Sequence, residues 1–205
     1  MKSWSLALIM VVALCTNAQN FPSEVWYEGK VVLMNEEVHR GLVKYDLETD
    51  VIQLNTNNTI QAYSSKKILY FEIFDEGSES FRQFYALPYT VSPGYKTPIL
   101  FEVLHEGAPL TLLARENITT ETVPTYNYYY GRNNYYSRYK LIYQYYFLNE
   151  KGRIDRYSMK KSDLMHIMGK KSSQVRKFIK ENNLRVDRRR DLERITAFYN
   201  SLLES

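Results

Sequence analysis

The chain has a single cysteine, Cys15, and it lies inside an N-terminal apolar segment. Beyond that segment there is neither a disulfide nor a thiol nucleophile, so stability must come from the core. Histidine is scarce too. His39, His105 and His166 are far apart, and no His-x-x-x-His spacing occurs. This predicts no metal site and no cofactor. Gly-x-Ser-x-Gly is missing, as is a glycine loop of the kind that cradles phosphate, which removes two common enzyme signatures. After residue 19 no apolar run approaches the roughly 20 residues needed to cross a bilayer. No amphipathic helical run separates the strand patterns of the first 150 residues, which argues against a doubly wound α/β fold.

What is present begins with an export signal. Lys2 is followed by the apolar run Leu6 to Leu14, and Thr16-Asn17-Ala18 fits a small-x-small cleavage site. Residues 1–18 are therefore expected to be a signal peptide removed before Gln19. A competing reading is lipid attachment at Cys15, which Leu14 fits badly because a small residue is expected there. Either route implies an exported protein, periplasmic or secreted, with outer-membrane association as a variant.

Charge is unevenly divided. Residues 19–150 carry 11 Lys+Arg against 16 Asp+Glu, whereas residues 151–205 carry 15 against 7. A basic end on an acidic body points to an anionic partner, to an internal match, or to a solvated helical surface.

The chain reads as organised around Ile99 to Ala114, ILFEVLHEGAPLTLLA, two apolar runs joined by a tight connection. Strand patterns precede it at Val25–Met34, Gly41–Leu47, Val51–Leu54 and Thr59–Tyr63, spaced as an antiparallel meander. In Lys67–Asp75, Leu69, Phe71 and Ile73 form an apolar face and Ile68, Tyr70, Glu72 and Phe74 the other. Phe81–Leu87 returns as a strand, and Pro88, Pro93, Gly94 and Pro98 mark a loop. In the hairpin, Phe101, Val103 and His105 share one face, and Leu100, Glu102 and Leu104 the other. Leu110–Ala114 reads as a central strand covered on both sides.

From Tyr126 to Tyr146 the composition shifts, with ten of the 19 tyrosines in this stretch. It reads as a long flap with its tip at Gly131–Asn134 and a return strand at Tyr139–Leu148. Arg153–Met159 gives one more strand. The tail reads as three amphipathic helices: Asp163–Met168 capped by Ser162, a second from Ser172 or Ser173 to about Asn183, and Arg188–Leu203 capped by Asp187. The fold class is thus mainly β (α+β). We expect an antiparallel β-sandwich or open barrel over residues 19–159, with a flap at 126–146. A short basic helical tail, 160–205, packs on it.

Several segments also carry a family likeness: Gly29-Lys30-Val31-Val32-Leu33, Phe101-Glu102-Val103-Leu104-His105-Glu106-Gly107, the tyrosine-rich turn, Tyr146-Phe147-Leu148, and Asp191-Leu192 followed by Phe198-Tyr199-Asn200. Together they make the chain resemble a broad, uncharacterised group of exported proteins of Bacteroidetes-type bacteria. The resemblance implies a β-rich domain followed by short helices and a cell-envelope or secreted location. It implies no catalytic residue.

For function, the tyrosines stand out. A tyrosine offers a flat apolar ring with a polar tip, suited to a glycan or an envelope protein at low entropy cost. Tyr128, Tyr129, Tyr130, Tyr135 and Tyr136, nearest the expected tip, are the expected contacts. Arg188, Arg189 and Arg190 in the tail would meet an anionic surface such as lipid; nucleic acid is excluded by export. The alternative is a hydrolase of envelope polymers, with Glu102, His105 and Glu106 as acid–base candidates, and a purely structural module is the third reading.

Overall fold

The computed structural model describes residues 21–127 and 131–204. The expected signal segment with Cys15, and Tyr128, Tyr129 and Tyr130, lie outside the described residues. The fold is mostly antiparallel sheet with a short helical C-terminus. Ten strands form one hydrogen-bonded sheet that is open, not closed.

The first four strands are a meander as expected: β1 (Tyr27–Leu33), β2 (Val38–Asp46), β3 (Val51–Thr56) and β4 (Thr59–Ser64). Asn57 and Asn58 make the β3–β4 turn with φ of 50° and 63°. Asparagine tolerates this left-handed pair, which matches the twist of a two-residue hairpin. The chain then departs from a simple meander. β5 (Ile68–Asp75) returns to pair with the free side of β1, and β6 (Ser80–Ser92), β7 (Tyr95–His105), β8 (Leu110–Asn127), β9 (Arg132–Asn149) and β10 (Ile154–Arg156) follow in order. The sheet order is β10-β9-β8-β7-β6-β5-β1-β2-β3-β4.

The apolar face of β5 is where period two puts it, with Phe71 and Ile73 buried. Ile68 is buried as well, because the β1–β5 register shifts between Val32 and Leu33. The loop expected at residues 88–98 is instead strand. Pro88 lies directly opposite Pro98, and the β6–β7 hairpin turns beyond them. The prolines are tolerated because they lie past the ends of the neighbouring ladders: β5 pairs with β6 only to Tyr85, and β8 with β7 only from Glu102.

The sheet curls on itself. Ile52 and Leu54 of β3 share a core with Phe84 of β6 and Leu100 of β7, around Phe71 and Tyr45. A polar latch holds this curl. Asp50, at the β2–β3 turn, accepts hydrogen bonds from Leu100 N at 2.8 Å and Arg115 Nη1 at 2.7 Å. Arg115 also donates to the carbonyls of Leu100 and Leu47.

A second core lies between the other end of the sheet and the tail. Helix α1 is Lys161–Ile167, α2 is Ser172–Glu181 and α3 is Arg189–Glu204. Leu164, Met168, Val175, Ile179, Leu192 and Ile195 pack on Leu110, Leu112, Ala114, Tyr145, Phe147 and Tyr157. Neither Lys160, which stands as N-cap of α1, nor Lys171 before α2 makes a side-chain capping bond. The serine caps expected there are inside the helices. Asp163 and Asp191 act one turn further along, accepting the backbone N–H of Ser158 and Arg185 at 2.8 and 2.9 Å.

Candidate interaction site

The expected flap is a two-stranded arm. β8 and β9 pair without interruption from Leu110↔Asn149 to Asn127↔Arg132. Beyond Ala114, β9 is the only strand paired with β8 among the described residues. The base is anchored, since Arg115 joins the Asp50 latch and Phe21 packs edge-on against Tyr139 at 6.4 Å. From Thr119 outward the arm extends roughly 30 Å, at about 3.4 Å per residue.

The register decides what each face of the arm presents, because directly opposite residues project to the same side. On one side lie Tyr126, Tyr135, Tyr139, Leu141 and Tyr143, in line with Tyr145 and Phe147, which α3 and its neighbours cover at the base. The other side carries Tyr136 and an ionic cluster in which Glu121 accepts from Arg138 at 2.9 Å and Lys140 at 3.1 Å. Tyr126, Tyr135 and Tyr139 are 58%, 67% and 66% exposed. An aromatic stripe thus begins in the core and emerges more than half exposed.

This geometry corrects the expected tip. Asn133 and Asn134 are paired with Tyr126 and Thr125, so both strands run past the expected tip to the Asn127–Arg132 pair, with Gly131 at φ 57°. Tyr135 and Tyr136 stand in the strand, on opposite faces, rather than together at the tip. Tyr126 and Tyr139 belong with Tyr135, and sequence reading alone did not group them. Period two counted outward from the Asn127–Arg132 pair is the signal that would have found them.

The acid–base candidates are separated. Glu102 is 1% exposed, and its carboxylate receives Arg82 Nε and Nη2 at 2.8 and 2.9 Å and Arg189 Nη1 and Nη2 at 3.1 and 2.6 Å. Burial pushes its pKa up, but the hydrogen bonds and charges of Arg82 and Arg189 outweigh that and hold it below the usual range. Arg82 also reaches Glu116 and, at 3.1 Å, the hydroxyl of Tyr45. Burial outweighs the pull of Arg82 on Glu116, whose pKa is raised. A carboxylate forked by two guanidiniums has no free lone pair for proton transfer, so Glu102 is a structural clasp between the sheet and α3. His105 is half-buried and Glu106 exposed at the β7–β8 turn, away from that clasp's hydrogen bonds.

The arginines also divide. Arg188 and Arg190 are exposed, whereas Arg189 is spent on Glu102 and, at 3.2 Å, Glu193. The basic tail is thus partly an internal match for the acidic body. Among the described residues, no group of three or more His, Cys, Asp or Glu is arranged to hold a metal. No helix among them is long and apolar enough to cross a membrane. No family model, curated protein or solved structure matches the chain.

Proposed function

We propose that this is an exported cell-envelope interaction protein whose docking element is the β8–β9 arm, and that its partner is another protein. The observation that carries the reading is the aromatic stripe that runs from under α3 to Tyr135 and stays exposed along the arm. An isolated two-stranded ribbon is marginal in water, and exposed aromatics on one side of it favour a cover. Tyrosine anchors of this kind dominate protein interfaces, each ring offering about 150–250 Å². A protein partner is preferred because, among the described residues, the outer arm also has no third strand on either edge, so a partner strand can extend it. The export signal supports the envelope as the setting.

The test is a chain with Tyr126→Ser, Tyr135→Ser and Tyr139→Ser, expressed in the native host. Native electrophoresis of envelope extracts should show the wild-type chain in a discrete larger species and the variant at its own size, with equal melting temperatures. A variant that stays in the larger species would overturn the reading.

A further inference from the structure

A second surface, independent of the arm, lies on the outer face of the curled sheet. A trough of about 580 Å³ crosses β6, β5, β1, β2 and β3 there. That volume is in the range of small-molecule sites, ~300–1,000 Å³. Its shape starts with two glycines placed directly opposite each other, Gly29 and Gly41. A Cβ on Gly29 would stand 2.2 Å from the Glu72 carbonyl oxygen, and one on Gly41 2.4 Å from that of Asn55. Only glycine lets the backbones of these strands come so close.

The register sets two rows of side chains across the strands. One runs Gln83, Glu72, Lys30, Arg40. The row beside it includes the opposed pairs Phe81 with Phe74, Glu28 with Leu42 and Leu42 with Asn55. Five strands at about 4.8 Å spacing give a track roughly 20 Å long. Phe74 and Phe81 form an edge-on pair at 5.2 Å, and Phe81 is 67% exposed. A neighbouring hollow of about 440 Å³ continues the track to Trp26, sharing Glu28, Leu42 and Phe74.

Two features say what such a track would hold. First, it offers no excess of positive charge: Lys30 and Arg40 are offset by Glu28 and Glu72, with Lys30 bound to Glu72 at 3.0 Å, and the neighbouring hollow adds Asp75 and Glu76. A phosphate or carboxylate polymer finds no attractive field there. Second, Asn55 Oδ1 is buried in the trough and accepts no hydrogen bond among the described residues. A buried acceptor left unpaired costs about 1–3 kcal/mol, which a ligand donor would recover. Aromatic faces beside amide, carboxylate and guanidinium groups suit a ligand with apolar ring faces and a rim of hydroxyls. We infer that this trough binds a neutral glycan strand, laid across the strands with Phe74 and Phe81 under its rings and Asn55, Glu28 and Arg40 on its hydroxyls.

Trp26 makes the test local, because the only other tryptophan, Trp4, lies in the export segment. The purified chain is titrated with maltohexaose, cellohexaose, mannohexaose and chitohexaose, and with polygalacturonate as the acidic comparison. Tryptophan emission and calorimetry are read together. At least one neutral hexamer should bind and shift the emission. Phe81→Ala and Asn55→Ala should each weaken that binding about tenfold or more at an unchanged melting temperature. Tyr135→Ser on the arm should leave it intact, which separates this site from the docking reading. The inference fails if no neutral hexamer binds at millimolar concentration, if Phe81→Ala and Asn55→Ala bind as wild type, or if polygalacturonate binds more tightly.

Discussion

Replacing Glu102 with glutamine keeps the side-chain shape and removes its charge. In the folded protein, that charge neutralises Arg82, which is 7% exposed, and Arg189, whose side chain is 35% exposed. Glu116 would remain for Arg82, but Glu116 is itself a carboxylate whose ionisation burial disfavours. Breaking one member out of a buried ion pair costs about 3–5 kcal/mol, because the partner's charge stays behind without water. At about 2–4 °C per kcal/mol for a chain of this size, Glu102→Gln should lower the melting temperature by roughly 6–20 °C. Arg189→Met removes the more exposed arm of the clasp, so solvent screening makes its cost smaller. Acid adds a second readout. A carboxyl held below its unfolded pKa stabilises the fold above the ordinary glutamate range and loses that contribution as pH falls through its folded value. Glu102 is such a group, while the raised Glu116 works in the opposite sense and above the ordinary glutamate range, so it does not offset Glu102 below that range. Wild type should therefore lose stability below about pH 4 with a steeper slope than Glu102→Gln. Thermal melts by circular dichroism from pH 7 to pH 3 measure both effects. A melting temperature for Glu102→Gln within 2 °C of wild type at pH 7 would refute the clasp as a source of stability.

Two other substitutions probe the frame. Leu112 is fully buried between β8 and the helical tail, so Leu112→Asp adds a buried charge to a lost side chain and should abolish the cooperative melt; a clear transition near the wild-type temperature would contradict this. Gly29→Ala forces a Cβ onto the Glu72 carbonyl and should cost about 1–3 kcal/mol by overpacking, read as a lowered urea midpoint with an unchanged slope.

Strand existence was legible because alternation is local. Phe71 and Ile73 on one side of β5 and Tyr70, Glu72 and Phe74 on the other follow from period two alone. The same alternation placed Glu102 beside Leu100 and Leu104, on the side where Arg82 and Arg189 meet it. The identity of those partners was not legible, since they lie 20 and 87 residues away and no local pattern links them. Non-local pairing likewise hid the insertion of β1 between β5 and β2, which builds the outer trough. Pro88 and Pro98 misled because a proline signals a missing donor, whereas only the neighbouring strands show whether that donor was needed. In the arm, the richness in tyrosine was plain, but the grouping of Tyr126, Tyr135 and Tyr139 depends on a register that a shift of one residue would reverse.

In the proposed function, the tyrosine side of the arm meets a partner protein, and this contact can be read in cells. It is tested most directly by placing a photo-crosslinking amino acid at Tyr135 and, separately, at Tyr136, in the full chain expressed in living cells. The two residues are adjacent in sequence but project from opposite faces of the ribbon. A discrete protein adduct is expected from position 135 that is weak or missing from position 136. No adduct at 135, or equal adducts at both, would contradict it.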